Sequence, residues 1–168
     1  MRLIKLLFAG ALALNVANAN DKLIIDALDF KMDDKKGISI FTGDVKMKMS
    51  QDKLNAQKVE IYFENTKEGK NPTKYIATGR VDFEINTNDK HYKGNGEKLI
   101  YEPSKQKYLV SGNGYLEDVN TNRKIYGEEI YVDQLSGEAS VKGTEKKPVR
   151  FIINLENKET QKGENKWK

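Results

Sequence analysis

The chain has 168 residues, 38% of them apolar and 32% charged, with 29 basic and 25 acidic side chains, one histidine and no cysteine. That length suits one domain with its own core. The absence of cysteine excludes disulfides and thiol chemistry, and a lone histidine gives no context for a Ser-His-Asp or Cys-His device.

Residues 1–19 read as a secretory targeting segment. Arg2 and Lys5 form a short basic region, Leu6 to Leu14 is uncharged and apolar, and Ala17-Asn18-Ala19 fits the small-x-small cleavage rule. The apolar run is shorter than the roughly 20 residues a membrane span needs, though an uncleaved anchor is the alternative reading. Removal leaves 149 residues and lowers the net charge from +4 to +2, so the basic balance gives little support to nucleic-acid binding. The expected location is an extracytoplasmic space such as a bacterial periplasm. The domain then spans residues 20–155, followed by a tail, 156–168, whose density of Lys, Glu, Asn and Gln predicts disorder.

Across the domain one phrase occurs four times: a small residue, two polar residues, an apolar residue, a spacer and another apolar residue. It begins at Ala27, Ala56, Gly96 and Gly127, with Leu28 in a polar slot of the first copy, and each copy is followed by a glycine, Gly43, Gly79, Gly112 or Gly143. The interval from phrase to glycine is 16 residues in three copies and 23 in the second, where Thr66 to Pro72 forms a polar, turn-like insertion. Such self-similarity marks stacked repeats.

Between the turns the pattern has period two, as in half-buried strands. Val45, Met47 and Met49 alternate with polar residues, as do Val59, Ile61 and Phe63, then Val81, Phe83 and Ile85, and finally Val149, Phe151 and Ile153. No amphipathic helix stands out. Turns are expected at Asp33–Gly37, Asn86–Asp89, Gly94–Gly96, Asn120–Asn122 and Leu135–Gly137. The phase set by Ile38 and Ile40 slips before Val45, and that of Ile76 slips before Val81. A glycine at each slip predicts a bulge or a strand bending between sheets.

These signals predict an all-β fold: a jellyroll-like β-sandwich with solenoid-like repeats and open ends. Its inward lining is expected from Ile40, Met47, Met49, Val59, Ile61 and Phe63 in the first half, and from Val81, Phe83, Ile85, Leu99, Tyr101, Leu116, Ile130 and Val132 in the second. A filled core is the default for such a lining, while an uncapped sandwich can also admit something long and apolar. The ends carry Leu23, Ile25 and Phe30 on one side and Val149, Phe151 and Ile153 on the other, so both edge strands invite another chain to continue the sheet. The expected contact is head to tail between copies. His91 reads as an exposed turn residue. No metal site or cofactor motif is present, and the tyrosines fit the core better than a nucleic-acid surface.

Phe41-Thr42-Gly43-Asp44-Val45 followed by Leu54-Asn55-Ala56-Gln57-Lys58-Val59 resembles the LptA/OstA-type lipopolysaccharide-transport family. So do Leu109 to Leu116, Ile125 to Tyr131 and Gly143 to Arg150, giving a resemblance over roughly residues 23–155. It implies a periplasmic β-jellyroll without enzymatic activity or cofactor, holding the lipid A part of lipopolysaccharide between its sheets. It also implies end-to-end stacking, with LptC at the N-terminal edge and the outer-membrane component LptD at the C-terminal edge. Arg80 and Lys93 are candidate phosphate contacts. Burial is worth about 0.8 kcal/mol per CH₂, so a carrier that must release its cargo is expected to keep its groove open along one side. The competing readings are a membrane-anchored partner of the LptC type and a structural β-solenoid scaffold with a dry core.

Cleavage after Ala19 makes Asn20 the first residue of the exported protein. Intact-mass measurement checks this, and recovery of Met1 would move the weight to the anchored homologue.

Overall fold

The computed structural model describes residues 22–86 and 91–155. The expected targeting segment, most of the Asn86–Asp89 turn and the charged tail lie outside the described residues. What is described consists of ten strands and one 3₁₀ turn, Pro103–Lys105. The strands are β1 (Leu23–Asp26), β2 (Asp29–Asp33), β3 (Ile38–Met49), β4 (Asp52–Thr66), β5 (Gly69–Asn86), β6 (His91–Glu102), β7 (Lys107–Asp118), β8 (Arg123–Asp133), β9 (Glu138–Lys142) and β10 (Arg150–Ile152). They form a single antiparallel sheet ordered β1-β3-β4-β5-β6-β7-β8-β10, with β2 also on β3 and β9 also on β8.

A line of irregularities crosses this sheet and divides it into two half-sheets. Register shifts fall at Thr42/Val45, Asn55/Lys58, Thr78/Val81, Asn95/Lys98 and Ser111/Gly114. On β3, β5 and β7 the line is a two-residue bulge in which both residues have positive φ: Gly43 and Asp44 at 84° and 44°, Gly79 and Arg80 at 82° and 47°, Gly112 and Asn113 at 76° and 52°. Glycine tolerates this region freely, Asp and Asn tolerate it better than most, and Arg80 occupies it at a conformational cost. One residue of the following strand, Gln57, Glu97 or Glu128, faces each bulge, while a side chain from the preceding side, Leu28, Gln57 or Glu97, lies over its glycine. A Cβ on Gly79 would stand 2.7 Å from Gln57 Cβ, and one on Gly112 would stand 2.6 Å from Glu97 Cβ.

This arrangement corrects the expected strand phase. The glycine-bearing strands keep their inward parity through the bulge: Phe41 and Val45 face in on β3, and Ala77 and Val81 on β5. The slip lies instead in the repeated phrase, where the small residue and the apolar residue three positions later both face in, as with Ala56 and Val59 on β4. Ile38, Ile40 and Ile76 therefore lie on the outer surface. Gly94 to Gly96, expected as a turn, is mid-strand in β6.

Folded along this line, the half-sheets face one another. One buried cluster draws Val59, Ala77, Leu99 and Ile130 from the first half-sheet and Met47, Phe83, Ile85 and Tyr92 from the second. A row of inward partners runs Phe30–Phe41–Val59–Ala77–Leu99–Val110–Ile130–Val141 across the first. A second row runs Ile25–Met47–Leu54–Phe83–Gly94–Leu116–Ile125–Phe151 across the other. Gly94 leaves room for the Phe83 ring, whose Cζ would lie 2.2 Å from a Cβ there.

Gly79→Ala should destabilise the protein by about 2–3 kcal/mol, combining left-handed backbone strain with a crowded contact on Gln57. Gly137→Ala meets open space at φ 71° and bears the strain alone, at about 1 kcal/mol. Urea unfolding of both variants checks the difference, and equal losses would show that the bend line is not tightly packed.

Candidate functional site

Two apolar clefts lie between the half-sheets. The larger, about 590 Å³ measured out to solvent, is bounded by Met47, Met49, Leu54, Phe83 and Ile85 on one side and by Val59, Tyr75, Ala77, Leu99 and Tyr101 on the other. Leu23, Lys48, Asp52 and Lys53 complete its wall. The second, about 470 Å³, continues past Phe83 and Ile85 to Tyr92, Tyr108, Val110, Leu116, Ile130, Val132 and Gln134. Sharing Phe83, Ile85 and Leu99, they form one apolar seam along the sheet.

The structure brings Met47, Met49, Val59, Phe83, Ile85, Leu99, Tyr101, Leu116, Ile130 and Val132 to this seam. Ile61, Phe63 and Val81 belong to the same core without bordering a cleft. Ile40 does not: it pairs with Glu60 on an outer row that continues through Ile76, Ile100 and Leu109 to Tyr131. Leu54, Tyr75, Tyr92, Tyr108 and Val110 line the seam and were not singled out from the sequence. Leu54 lies two residues before Ala56, which is the signal that finds it. Tyr108-Leu109-Val110 is an unbroken apolar run, in which only cross-strand register tells inside from outside.

A tyrosine rim closes one side of the seam. Tyr75, Tyr101 and Tyr108 stack along the first half-sheet, with ring centroids 6.0 and 4.5 Å apart. Tyr101 and Tyr108 form a second small cluster with Val132, and Tyr75 packs against both this cluster and the main core. Burial, reinforced by Tyr101, pushes the Tyr75 hydroxyl up to about 12. Burial also raises Tyr108, helped by Tyr101 and by the Asp52 carboxylate at the tip of the opposite half-sheet. These phenols stay neutral through the physiological range, so this rim presents hydroxyl groups without charge.

The outer faces carry opposite charges in register. Lys53, Glu84, Lys93, Glu117 and Lys124 follow one another across five strands. Glu84 meets Lys93 at 3.7 Å, and Lys124 meets Glu117 at 3.6 Å. His91 is half-buried rather than exposed, its Nε2 being 2.5 Å from Glu84 Oε1, and this hydrogen bond is the main cause that holds the Glu84 carboxyl below its usual range. Lys93 is thus engaged by Glu84, and Arg80 stands at the bend beside Asp82, Asn95 and Glu97. Neither borders the apolar seam. No cluster of metal-ligating side chains occurs among the described residues.

Both ends of the seam terminate in short edge strands with exposed apolar side chains. At one end Leu23, Phe30 and Met32 are exposed and Ile25 is half-buried; at the other, Val149, Phe151 and Ile153 are exposed. The expected last strand, from Val149 to Leu155, shortens to β10, which pairs with β8 at Arg150–Ile152. Leu28, exposed at 84%, occupies the place held in later copies by Gln57, Glu97 and Glu128.

A folded sheet lined along its length and open at both edges matches known proteins. The family model described as LptA/(LptD N-terminal domain) LPS transport protein matches residues 24–138. The lipopolysaccharide export system protein LptA of Escherichia coli K12 is 28% identical over 126 residues, which cover 74% of this chain and 67% of that protein. LptA of Shigella flexneri gives the same figures. The crystal structure of LptH, the LptA homologous periplasmic component of the lipopolysaccharide transport device from Pseudomonas aeruginosa, aligns with a TM-score of 0.66 at 16% identity, covering 80% of this chain and 96% of that one. At that identity the likeness speaks for the fold, a β-jellyroll. The match to residues 24–138 spans well over half of the sequence, and the chain belongs to the LptA/(LptD N-terminal domain) family of LPS transport proteins.

Proposed function

We propose that this protein is a non-enzymatic periplasmic carrier that holds the lipid A part of lipopolysaccharide in the seam between its half-sheets and conducts it from the inner to the outer membrane. The observation that carries the reading is the inward row from Ile25 to Phe151, apolar or glycine at every strand and ending on free edges on both sides. Residues 1–19 act as the export signal in this reading, and residues 20–155 as the lipid-binding domain. The edges continue the seam from one molecule into the next: copies stack head to tail, an LptC-type partner meets the edge formed by β1 and β2, and an LptD-type partner meets the edge formed by β9 and β10. In this reading the driving energy comes from elsewhere.

One observation favours the competing dry scaffold. Val59, Val81, Phe83, Ile85, Leu99 and Ile130 are each 1–5% exposed, so the half-sheets are closely packed. In the carrier reading, acyl chains part the half-sheets and replace these contacts with their own, which keeps the net gain in burial small and the cargo releasable. Lipid retained on the purified protein separates the two readings.

Phe83→Asp places an unpaired carboxylate in the seam at a cost of several kcal/mol. Lipid capture and melting temperature should both fall, with a photo-crosslinker at Phe83 reading the capture in cells. Unchanged values for both would count against Phe83 as a lining residue and against the cleft as the lipid site.

Truncation after Pro148 removes β10 and should shorten head-to-tail assemblies while the remaining sheet stays folded. Sedimentation across a concentration series reads the size, and assemblies that survive the truncation would overturn the edge contact.

A further inference from the structure

The charge ladder on the outer face breaks its alternation once. Along the row Ile24–Lys48–Lys53–Glu84–Lys93–Glu117–Lys124–Ile152, positive and negative residues alternate from Lys53 onward, but Lys48 and Lys53 stand directly opposite one another on β3 and β4. Like charges in directly opposed positions of an antiparallel pair destabilise it. Neither lysine forms an ion pair among the described residues, although neighbouring Lys46 holds Asp44 at 3.0 Å. Glu84, opposite Lys53, hydrogen-bonds His91 and pairs with Lys93, and Lys53 acts on it only through space, without an ion-pair contact. Asp52, which borders the same cleft, accepts the Asn86 backbone N–H at 2.8 Å.

Position gives this like-charged pair a use. Lys48 and Lys53 flank the tight turn at Ser50, and both border the larger apolar cleft, where they are exposed while Met47, Met49 and Phe83 are buried. An apolar cleft whose lip carries two exposed lysines without an ion-pair contact among the described residues, beside the single carboxylate of Asp52, suits an amphiphile with acyl chains and an anionic head. We propose that Lys48 and Lys53 clamp a phosphate group on the head of the glycolipid whose chains enter this cleft, an inference that rests on the carrier reading above. The bound phosphate relieves the repulsion between the two cations, so the site is ready for an anion at the expense of the empty protein. Phosphate on a lysine pair is a point-charge contact without the fixed fork of arginine, in keeping with a cargo that must be passed on.

The test is the Lys48→Gln/Lys53→Gln variant of the mature protein. Its binding to bisphosphorylated lipid A and to the phosphate-free lipid is measured at low and at high salt. The wild type should prefer the phosphorylated lipid by about tenfold at low salt, and less at high salt. The variant should lose this preference and bind the two lipids with equal affinity at either salt concentration. Its melting temperature at low salt should match or exceed that of the wild type, because a repulsion has been removed; a purely structural role for the lysines gives a fall instead. A phosphate preference that survives in the variant overturns the clamp while leaving the cleft as the lipid site. Failure of the wild type to bind either lipid overturns the carrier reading and the clamp with it. Saturable binding of inorganic phosphate to the lipid-free wild type, with no discrimination between the lipids, assigns the pair to a free anion and overturns the headgroup assignment.

Discussion

The fold depends on the line of left-handed bulges. An antiparallel sheet this wide would remain open and expose one apolar face unless something turned it through a sharp angle. Gly43-Asp44, Gly79-Arg80 and Gly112-Asn113 do so on alternate strands, each adding a residue and reversing the sign of φ at two successive positions. Between them, small residues such as Ala56 and Gly96 occupy the inside of the corner, where Ala56 packs against Val45 and Gly96 lies opposite Val81. The bend thus has a glycine requirement on one set of strands and a size limit on the other. The repeated phrase and its following glycine record these two demands.

Once the sheet is folded, a single apolar surface must serve both stability and the proposed cargo. Complete enclosure of several acyl chains, at about 0.8 kcal/mol per CH₂, would make release too slow for a carrier. In the proposed carrier the closely packed seam addresses this, because lipid would replace protein–protein contacts instead of filling an empty cavity. The second cluster of Tyr101, Tyr108 and Val132, joined to the main core through Tyr75, fits the same picture. The neutral hydroxyl groups of this rim do not repel an acidic head.

The edges show a related balance. Free strands favour continuation into another molecule, yet long, flat apolar edges promote aggregation. Here each edge is divided between two short strands, of four and five residues at the start and five and three at the end. The bend line runs between them, so a partner must match both half-sheets and the corner at once. That requirement favours a copy of the same fold over an arbitrary strand. The alternating outer charges keep the remaining surface polar and leave the apolar contacts to the two ends.

The all-β class, the repeats, the open ends and most of the seam were legible from the sequence, because period-two patterning and glycine spacing are local consequences of a strand half-buried on one face. Met47, Phe83 and Ile130 needed only that rule. Ile40 did not obey it: an apolar residue on the outer row of Ile76, Ile100 and Leu109 has the same local signature as one inside. The phase was decided by which strand carried the bulge, a matter of pairing between neighbours far apart in sequence. Glycine conserves parity on β3 and β5 because two residues there face one on the next strand, whereas a lone residue at the corner shifts parity on β4. Register also set Lys48 against Lys53 and Phe83 over Gly94. Such cross-strand neighbours follow from tertiary pairing, since a one-residue change of register exchanges every inward side chain for an outward one.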